Sequence, residues 1–255
     1  MNTENKIIPV YKEEGETPFQ LVNRFRQKNN IPDNIKVAYA GRLDPLAKGV
    51  VLLVTGERLV NFDKQLTLAK EYTADIIFDF STDTYDVMGL PKKENTTFAD
   101  TTKIKNYLES TVGDYTFSLP PFSSYKIKGK PLFMWAREER LSEVEIPIKT
   151  VEVNSVSILG FYNINEGNLY KLITDKINKV VGDFRQEEIL KEWKDILTSR
   201  EKEHLVVSLK ISCQSGFYVR SMANNMGGEL NSKATLLNLE RNRVGDYKIE
   251  DCLKI

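Results

Sequence analysis

The sequence Gly-Arg-Leu-Asp-Pro-Leu-Ala-Lys-Gly, residues 41–49, stands between two largely apolar segments. The segment that follows it, Val-Val-Leu-Leu-Val-Thr at residues 50–55, is β-branched and apolar and predicts a buried strand. Pro45 restricts the backbone directly after Asp44, and a glycine closes the segment at each end, so we expect a stiff turn that fixes the direction of the carboxylate. For an isolated Asp-Pro pair, a surface turn in which Asp44 bonds its own backbone is the simpler interpretation.

The composition is that of an ordinary globular protein. The 255 residues are 41% hydrophobic and 28% charged, which allows one large domain or two small ones. No apolar run approaches the roughly 20 residues of a membrane-spanning helix, and the first residues lack the pattern of a secretory signal, so we expect a cytoplasmic protein. Cys213 and Cys252 are far apart and predict neither a zinc site nor a disulfide framework. Lysine and arginine total 36, as do aspartate and glutamate, so binding to RNA would require basic residues gathered locally.

Residues 41–49 resemble the catalytic loop of the TruB family of tRNA pseudouridine synthases, in which a Gly-x-Leu-Asp-Pro-x-Ala-x-Gly string carries the nucleophilic aspartate. The resemblance implies that Asp44 is the nucleophile. The family usually has a histidine two residues before this loop, where the present chain has Tyr39. A tyrosine ring still stacks on a base, so we expect Tyr39 and Arg42 to bind the substrate. The alternative for Tyr39 is a half-buried aromatic residue of a strand.

Residues 71–80 alternate between apolar and polar side chains and predict a strand. The strand opens with Lys-Glu-Tyr, which resembles the family's Lys-x-Tyr, whose tyrosine stacks on the target base. We therefore expect Tyr72 to be a catalytic residue, and we hypothesise that it also removes the proton from C5. Simple packing in the core is the alternative for Tyr72.

Residues 119–130 form a clearly basic stretch with interleaved aromatic rings, a composition that suits a surface binding phosphates and exposed bases. A solvated lysine face is the alternative. The stretch and the residues after it resemble a second signature of the family, Ser-Ala-x-Lys-x-x-Gly followed by Leu-Tyr-x-x-Ala-Arg. Four basic residues are therefore expected to bind the substrate: Lys126, Lys128, Lys130 and Arg137.

Two later segments also resemble the family. Residues 216–221, Gly-Phe-Tyr-Val-Arg-Ser, are similar to a segment whose arginine pairs with the catalytic aspartate, which implies that Arg220 pairs with Asp44. A guanidinium fork would keep that aspartate ionised and oriented. Residues 236–245 resemble a region in which a leucine, here Leu239, lines the uracil pocket.

Residues 170–204 have no counterpart in this resemblance, since family members usually join the flanking strands by a short turn. Apolar residues at helical spacing on both sides of Gly182 predict a helical-hairpin insertion. We hypothesise that the insertion contacts RNA, and packing on the back of the sheet is the alternative. His204, the single histidine, has no metal partners nearby in the sequence and is expected to be an exposed bystander.

The resemblance implies an α+β protein with the pseudouridine synthase fold, a mixed and mostly antiparallel sheet with flanking helices and a central active-site cleft. One catalytic domain would cover residues 1–255, without the C-terminal PUA domain of many relatives. The implied reaction converts the uridine at position 55 in the tRNA T loop to pseudouridine, with base flipping and without a metal or organic cofactor. The expected partner of the monomer is the T stem-loop. A non-catalytic tRNA-binding or tRNA-folding module, or the same chemistry on a different RNA, remains an alternative.

Overall fold

The computed structural model describes residues 6–56, 59, 62–93 and 100–255. These residues form the expected α+β fold. The helices described are α1 Pro18–Lys28, α2 Phe62–Leu66, α3 Thr101–Ser110, α4 Leu132–Arg137, α5 Glu166–Ile177, α6 Gln186–Ile196 and α7 Val219–Glu229. The strands described are β1 Ile7–Lys12, β2 Val37–Ala40, β3 Lys48–Thr55, β4 Lys70–Phe78, β5 Phe80–Thr82, β6 Pro91–Lys93, β7 Gly113–Ser118, β8 Lys126–Ile127, β9 Lys130–Pro131, β10 Ile148–Asn165, β11 Glu203–Cys213, β12 Ala234–Val244 and β13 Tyr247–Lys248.

Among the described residues, nine strands form one large sheet in the order β1-β3-β12-β4-β11-β10-β7, with β2 added to β3 and β13 added to β12. Each described pair in this sheet is antiparallel except β3 and β12, which run parallel. The sheet is therefore mixed and mostly antiparallel, as expected. Strand β3 follows the segment of Asp44, and the next two strands of the sheet, β12 and β4, contain Leu239 and Tyr72, so the fold brings those segments together.

Local backbone features set the ends of two elements. Helix α1 begins at Pro18, and Thr17 caps it, since the Thr17 hydroxyl accepts a hydrogen bond from the Gln20 amide at 3.2 Å. The strand predicted over residues 71–80 is broken, because Asp79 has a φ of 74°. A residue in this left-handed region cannot continue an extended strand, and Phe80 begins β5 instead.

The sheet is covered on both faces, because successive residues of β4 belong to different hydrophobic clusters. Ile76 is buried in the main core, together with residues of α1, α3 and α7. Ile77 is buried in a second core, together with Trp193 and other residues of α5 and α6. Since side chains alternate along a strand, the two helices between β10 and β11 pack on the opposite face of the sheet from α7.

The described residues contain no helix of the length and apolar character that crossing a bilayer requires.

Candidate active site

The segment containing Asp44 forms a tight turn directly before β3. The Ala47 amide donates a hydrogen bond to the Asp44 carbonyl at 3.1 Å, which closes a β-turn with Pro45 at its second position. The Asp44 side chain is 38% exposed, so its carboxylate is accessible from solvent. The turn thus presents the carboxylate as the sequence predicts.

Two buried basic side chains hold this turn through backbone carbonyl groups. Lys12, which is fully buried, donates from Nζ to the carbonyls of Glu13, Pro45 and Ala47 at 2.9, 3.1 and 2.6 Å. Burial lowers the pKa of Lys12 to about 7, although nearby carboxylates oppose that shift. Two of these carbonyl groups, those of Pro45 and Ala47, belong to the turn, so a single side chain fixes its shape.

Arg241 of β12 holds the opposite side of the same segment. Its guanidinium donates to the carbonyls of Val50, Arg42 and Gly41 at 2.7, 3.1 and 3.1 Å. The main chain of β12 also lies so close to Gly49 that a Cβ atom there would clash with the Arg241 carbonyl oxygen. Sequence reasoning assigned no role to Lys12 or Arg241. An isolated lysine or arginine usually predicts a solvated side chain, so the one available signal was the position of Arg241 within the matched residues 236–245.

Arg220, in the first turn of α7, makes the predicted pair with Asp44. Its Nε lies 2.8 Å from Oδ2 and its Nη2 lies 3.1 Å from Oδ1, a bidentate arrangement. Nη1 donates to the Thr84 carbonyl at 2.7 Å, and Nη2 also donates to the Phe122 carbonyl at 3.3 Å. Burial opposes the charge of Arg220, but Asp44 and Asp86 outweigh it, so the pKa of Arg220 is raised.

A second carboxylate, Asp86, stands beside this pair. Its Oδ2 lies 3.7 Å from Nε of Arg220, while its Oδ1 accepts hydrogen bonds from the Thr84 hydroxyl at 2.7 Å and from the Met88 amide at 3.0 Å. Burial raises the pKa of Asp86 to about 6, and Asp44 adds to that shift while Arg220 opposes it. One guanidinium is thus shared between two carboxylates, of which only Asp44 is substantially exposed.

On one side of Asp44 lies a cavity of about 380 Å³, here called the tyrosine cavity. Its wall includes Tyr72, Leu239, Arg42 and Arg220 in addition to Asp44, so five residues predicted for the site meet there. Tyr72 is 6% exposed. Burial raises its pKa to about 12, and the nearby Arg241 offsets that only in part, so the phenol is protonated at neutral pH.

Asp44 also lines a second cavity of about 340 Å³, here called the hairpin cavity. Asp44, Asp86 and Arg220 form one wall of it. The remaining wall contains Arg137 of α4, which sequence reasoning predicted to bind the substrate, and Phe184 and Arg185 between α5 and α6, which it did not. No sequence signal marks Phe184 and Arg185, because their position depends on how the hairpin packs.

The other predicted binding residues lie outside the walls of the two cavities. Tyr39 is half-buried on β2 and packs against the main core. Lys126 and Lys128 are both exposed, and Lys128 donates to the Glu143 carbonyl at 3.4 Å. Lys130 forms an ion pair with Glu138 and lies 4.6 Å above the ring of Trp135. Substrate contacts by these four residues stay predictions.

The expectation for His204 was wrong, since the imidazole is fully buried rather than exposed. Nδ1 lies 2.7 Å from Oδ2 of Asp79, and Nε2 lies 3.2 Å from Oε1 of Glu166. Lys93 pairs with the same Glu166 oxygen at 2.6 Å. The histidine therefore belongs to a buried polar network at the base of the hairpin. Burial of this kind is invisible in a sequence, because it requires carboxylates from two distant segments.

Within the ranges that the structure describes, no group of three or more histidine, cysteine, aspartate or glutamate side chains is arranged to hold a metal ion.

Comparison with known proteins gives a consistent result. Residues 26–172 match the model of the TruB family pseudouridylate synthase (N terminal domain). The tRNA pseudouridine synthase B of Malacoplasma penetrans (strain HF-2) is 29% identical over 251 residues, which cover 98% of this chain and 89% of that protein. The tRNA pseudouridine synthase B of Listeria monocytogenes serotype 4b (strain F2365) is 30% identical, with 98% of this chain and 70% of that protein covered.

Two solved structures resemble the fold. The protein matched in the crystal structure of a Cbf5-Nop10-Gar1 complex has a TM-score of 0.62 and 17% identity, and the match covers 100% of this chain and 54% of that one. The chain matched in a structure of an H/ACA RNP bound to a substrate RNA containing 2′-deoxyuridine has a TM-score of 0.58 and 16% identity, covering 97% of this chain and 50% of that one. At such low identity the similarity concerns the fold alone.

Proposed function

Because the chain belongs to the TruB family of pseudouridylate synthases and is therefore an isomerase, we propose that it converts a specific uridine of the tRNA T loop to pseudouridine. The observation that carries the proposal is the bidentate pair of Asp44 and Arg220 at the wall of a cavity that also contains Tyr72 and Leu239. An accessible carboxylate held by a buried guanidinium, beside an aromatic ring and an aliphatic side chain, is suited to attack on a nucleotide whose base has left the stack.

The target uridine must leave the RNA stack before it reaches Asp44, which costs a few kcal/mol. The tyrosine cavity offsets this cost, with the ring of Tyr72 against the base and Leu239 against its edge. Stacking on an aromatic ring contributes about 1–3 kcal/mol per base, which is of the same size as the cost.

Asp44 acts as the covalent nucleophile, with one carboxylate oxygen bonding to C1′ of the sugar or to C6 of the ring. The glycosidic bond between N1 and C1′ breaks, the base turns, and C5 bonds to C1′ while the bond to Asp44 is broken. C5 then loses its proton, N1 carries one, and the product is an isomer of the substrate. The reaction consumes no oxidant or reductant.

Arg220 positions the nucleophile rather than reacting itself. Its two bonds to Asp44 fix both carboxylate oxygens, and its bonds to the carbonyls of Thr84 and Phe122 fix the guanidinium. A group held in this way loses little conformational freedom when the substrate binds, which is how preorganisation accelerates a reaction.

Tyr72 stacks on the uracil ring and also accepts the C5 proton. Because burial raises its pKa to about 12, the phenol is protonated at neutral pH, so it first donates its own proton to N1 of the detached base, and the resulting phenolate then accepts the C5 proton. Arg241 is the nearby cation that favours that release, since it lowers the pKa of Tyr72.

The experiment is pseudouridine mapping on a T stem-loop RNA after incubation with the purified chain, together with a measurement of binding. Conversion at the T-loop uridine supports the proposal. Binding without conversion supports a tRNA-binding module instead, although a carboxylate exposed beside RNA phosphates would weaken such a module by repulsion. If the chain neither binds nor converts this RNA but converts another RNA, the same chemistry acts on a different substrate.

A further inference from the structure

We propose that the hairpin loop, residues 180–185 between α5 and α6, binds the RNA next to the reacting uridine and helps to select the substrate. In this arrangement an unpaired base lies against Phe184 in the hairpin cavity, and Arg185 and Arg137 bind its phosphate. The inference rests on the proposed function, because it assumes that a nucleotide of the substrate lies beside Asp44.

The two helices of the hairpin are fixed to the sheet. Trp193 of α6 is fully buried, its ring lies 5.3 Å from that of Phe80, and its Nε1 donates to the Val87 carbonyl at 3.1 Å. Val87 directly follows Asp86, the carboxylate beside Arg220. The packing that holds the hairpin therefore also sets its distance from the active site.

The hairpin loop has a defined shape. The side-chain amide of Gln186 donates to the carbonyls of Val180 and Gly182 at 3.1 and 2.7 Å, and its oxygen accepts from the Phe184 amide at 2.9 Å. Gly182 has a φ of 116°, a conformation that favours glycine. A loop fixed in this way needs little ordering on binding, which preserves affinity.

The hairpin is also attached at two places near the active site. Lys176 of α5 and Lys179, which follows that helix, pair with Glu14, and the amide of the next residue, Gly15, donates to the Pro45 carbonyl at 2.9 Å. Within the hairpin loop, the Asp183 carbonyl accepts a hydrogen bond from Nη2 of Arg137 at 2.6 Å. The hairpin is thus connected both to the segment that contacts Pro45 and to α4.

The hairpin cavity has the chemistry of a nucleotide site. Phe122, Phe133 and Phe184 contribute aromatic rings, and Arg137 and Arg185 contribute guanidinium groups. Aromatic faces bind any base, and guanidinium groups bind phosphate with two parallel hydrogen bonds. Because Asp44 and Arg220 form the adjoining wall, a nucleotide in this cavity would directly neighbour the one that reacts.

Arg185 remains available for this contact. Its guanidinium lies 4.7 Å from the centre of the Phe122 ring and 2.9 Å from Oδ2 of Asp83, and its side chain is 25% exposed. A guanidinium has five N–H donors, so pairing with one carboxylate oxygen leaves donors for a phosphate. The pair with Asp83 also allows an alternative, in which Arg185 has a purely structural role. The test must distinguish that role from RNA binding.

The test compares steady-state kinetics on a T stem-loop RNA for Arg185→Ala, Arg137→Ala and Phe184→Leu, with the urea midpoint as a check on folding. We expect KM to rise about ten-fold for Arg185→Ala, which corresponds to one lost charge-assisted contact, while kcat changes by less than about two-fold. For Arg137→Ala we expect a rise in KM at least as large, because this variant also loses its bond to the Asp183 carbonyl of the loop. The slope of log KM against log salt should fall by about 1 for each arginine removed.

Two controls separate RNA contact from structure. Asp83→Asn removes the charged partner of Arg185 but keeps Oδ1, which accepts the Leu90 amide at 2.8 Å, so KM should stay within about two-fold of the wild type. Lys191→Ala removes an exposed charge of α6 away from the cavity and should behave like the wild type.

An Arg185→Ala enzyme with unchanged KM and salt slope would overturn the inference, as would a rise in KM that Asp83→Asn reproduces. Either result can be obtained only if the wild type makes pseudouridine on this RNA. A wild type without activity on this RNA would overturn the proposed function instead. The two failures are therefore distinguishable.

Discussion

Nε and Nη2 of Arg220 bind the two carboxylate oxygens of Asp44 at 2.8 and 3.1 Å, across 176 positions of sequence. The arginine is 3% exposed, whereas the aspartate side chain is 38% exposed. A buried cation therefore orients an accessible anion. We therefore propose that Arg220 positions Asp44 through the geometry of its guanidinium fork.

Arg220→Lys keeps the charge and loses the fork together with the bonds to the Thr84 and Phe122 carbonyls. We expect kcat to fall about a hundred-fold, because a displacement of about 1 Å at the nucleophile has that effect, while KM changes little. Single-turnover kinetics on a T stem-loop measure this. The matched control is Arg243→Lys on β12, where the arginine pairs with Glu71 at 2.7 Å. This variant should retain the wild-type rate. Wild-type kcat in the Arg220→Lys enzyme would contradict the role of the fork.

Substitution of Tyr72 separates stacking from proton transfer. Tyr72→Phe keeps the ring and removes the hydroxyl, so RNA binding should persist while turnover is lost. Tyr72→Leu removes the ring as well, and we expect binding of the RNA to weaken by about 1–3 kcal/mol. Binding by fluorescence anisotropy and pseudouridine formation should be measured on the same preparations. If the Tyr72→Phe enzyme turns over at the wild-type rate, the role of Tyr72 is restricted to stacking.

The resemblance of four sequence segments predicted much of the site. It placed Asp44 with Arg220 and placed Tyr72, Leu239 and Arg42 around them, and all five line one cavity. It also predicted a mixed, mostly antiparallel sheet. These segments carry information about the fold because Asp44 and Arg220 can pair only if the turn before β3 and the start of α7 lie next to each other.

What the sequence did not predict depends on packing between distant segments. His204 was expected to be exposed, yet it is buried between Asp79 and Glu166, and one helix of the hairpin supplies Glu166. The position of Phe184 beside Asp44 follows from the packing of α5 and α6 on β4, which apolar spacing alone does not determine. Spacing shows that a helix has an apolar face, but it does not show which surface covers that face.

The pKa of Asp86 predicts a specific dependence of stability on pH. In the folded protein burial raises this pKa from 3.8 to about 6, so the ionised form is disfavoured relative to the unfolded chain. The contribution of Asp86 to the free energy of unfolding should therefore decrease as pH rises from about 4 to 6, by on the order of 3 kcal/mol, and stay constant above that range.

Urea unfolding of the wild type and of Asp86→Asn at pH values from 4 to 8 tests this prediction, because the difference between the two proteins cancels the other titrating groups. The wild type should lose stability relative to the variant between pH 4 and 6. A difference that is independent of pH would show that the pKa of Asp86 is not raised.

Lys12 should be essential for the shape of the catalytic turn. Lys12→Met keeps the approximate length of the side chain and leaves the carbonyls of Pro45 and Ala47 without their buried donor, so we expect a loss of about 2–4 kcal/mol in the free energy of unfolding. The displaced turn should also lower kcat by about ten-fold or more. Lys105→Met, at an exposed position of α3, should change neither quantity. Wild-type stability in the Lys12→Met protein would contradict the role of Lys12 in holding the turn.

The most direct test of the account is pseudouridine mapping of a T stem-loop RNA incubated with the wild type and with Asp44→Asn, alongside binding measurements for both. Asparagine keeps the shape of the side chain and cannot form the covalent bond. We predict conversion at the T-loop uridine by the wild type, no conversion by the variant, and RNA affinities that agree within about ten-fold. Conversion by the Asp44→Asn protein at the wild-type rate would contradict the assignment of Asp44 as the nucleophile.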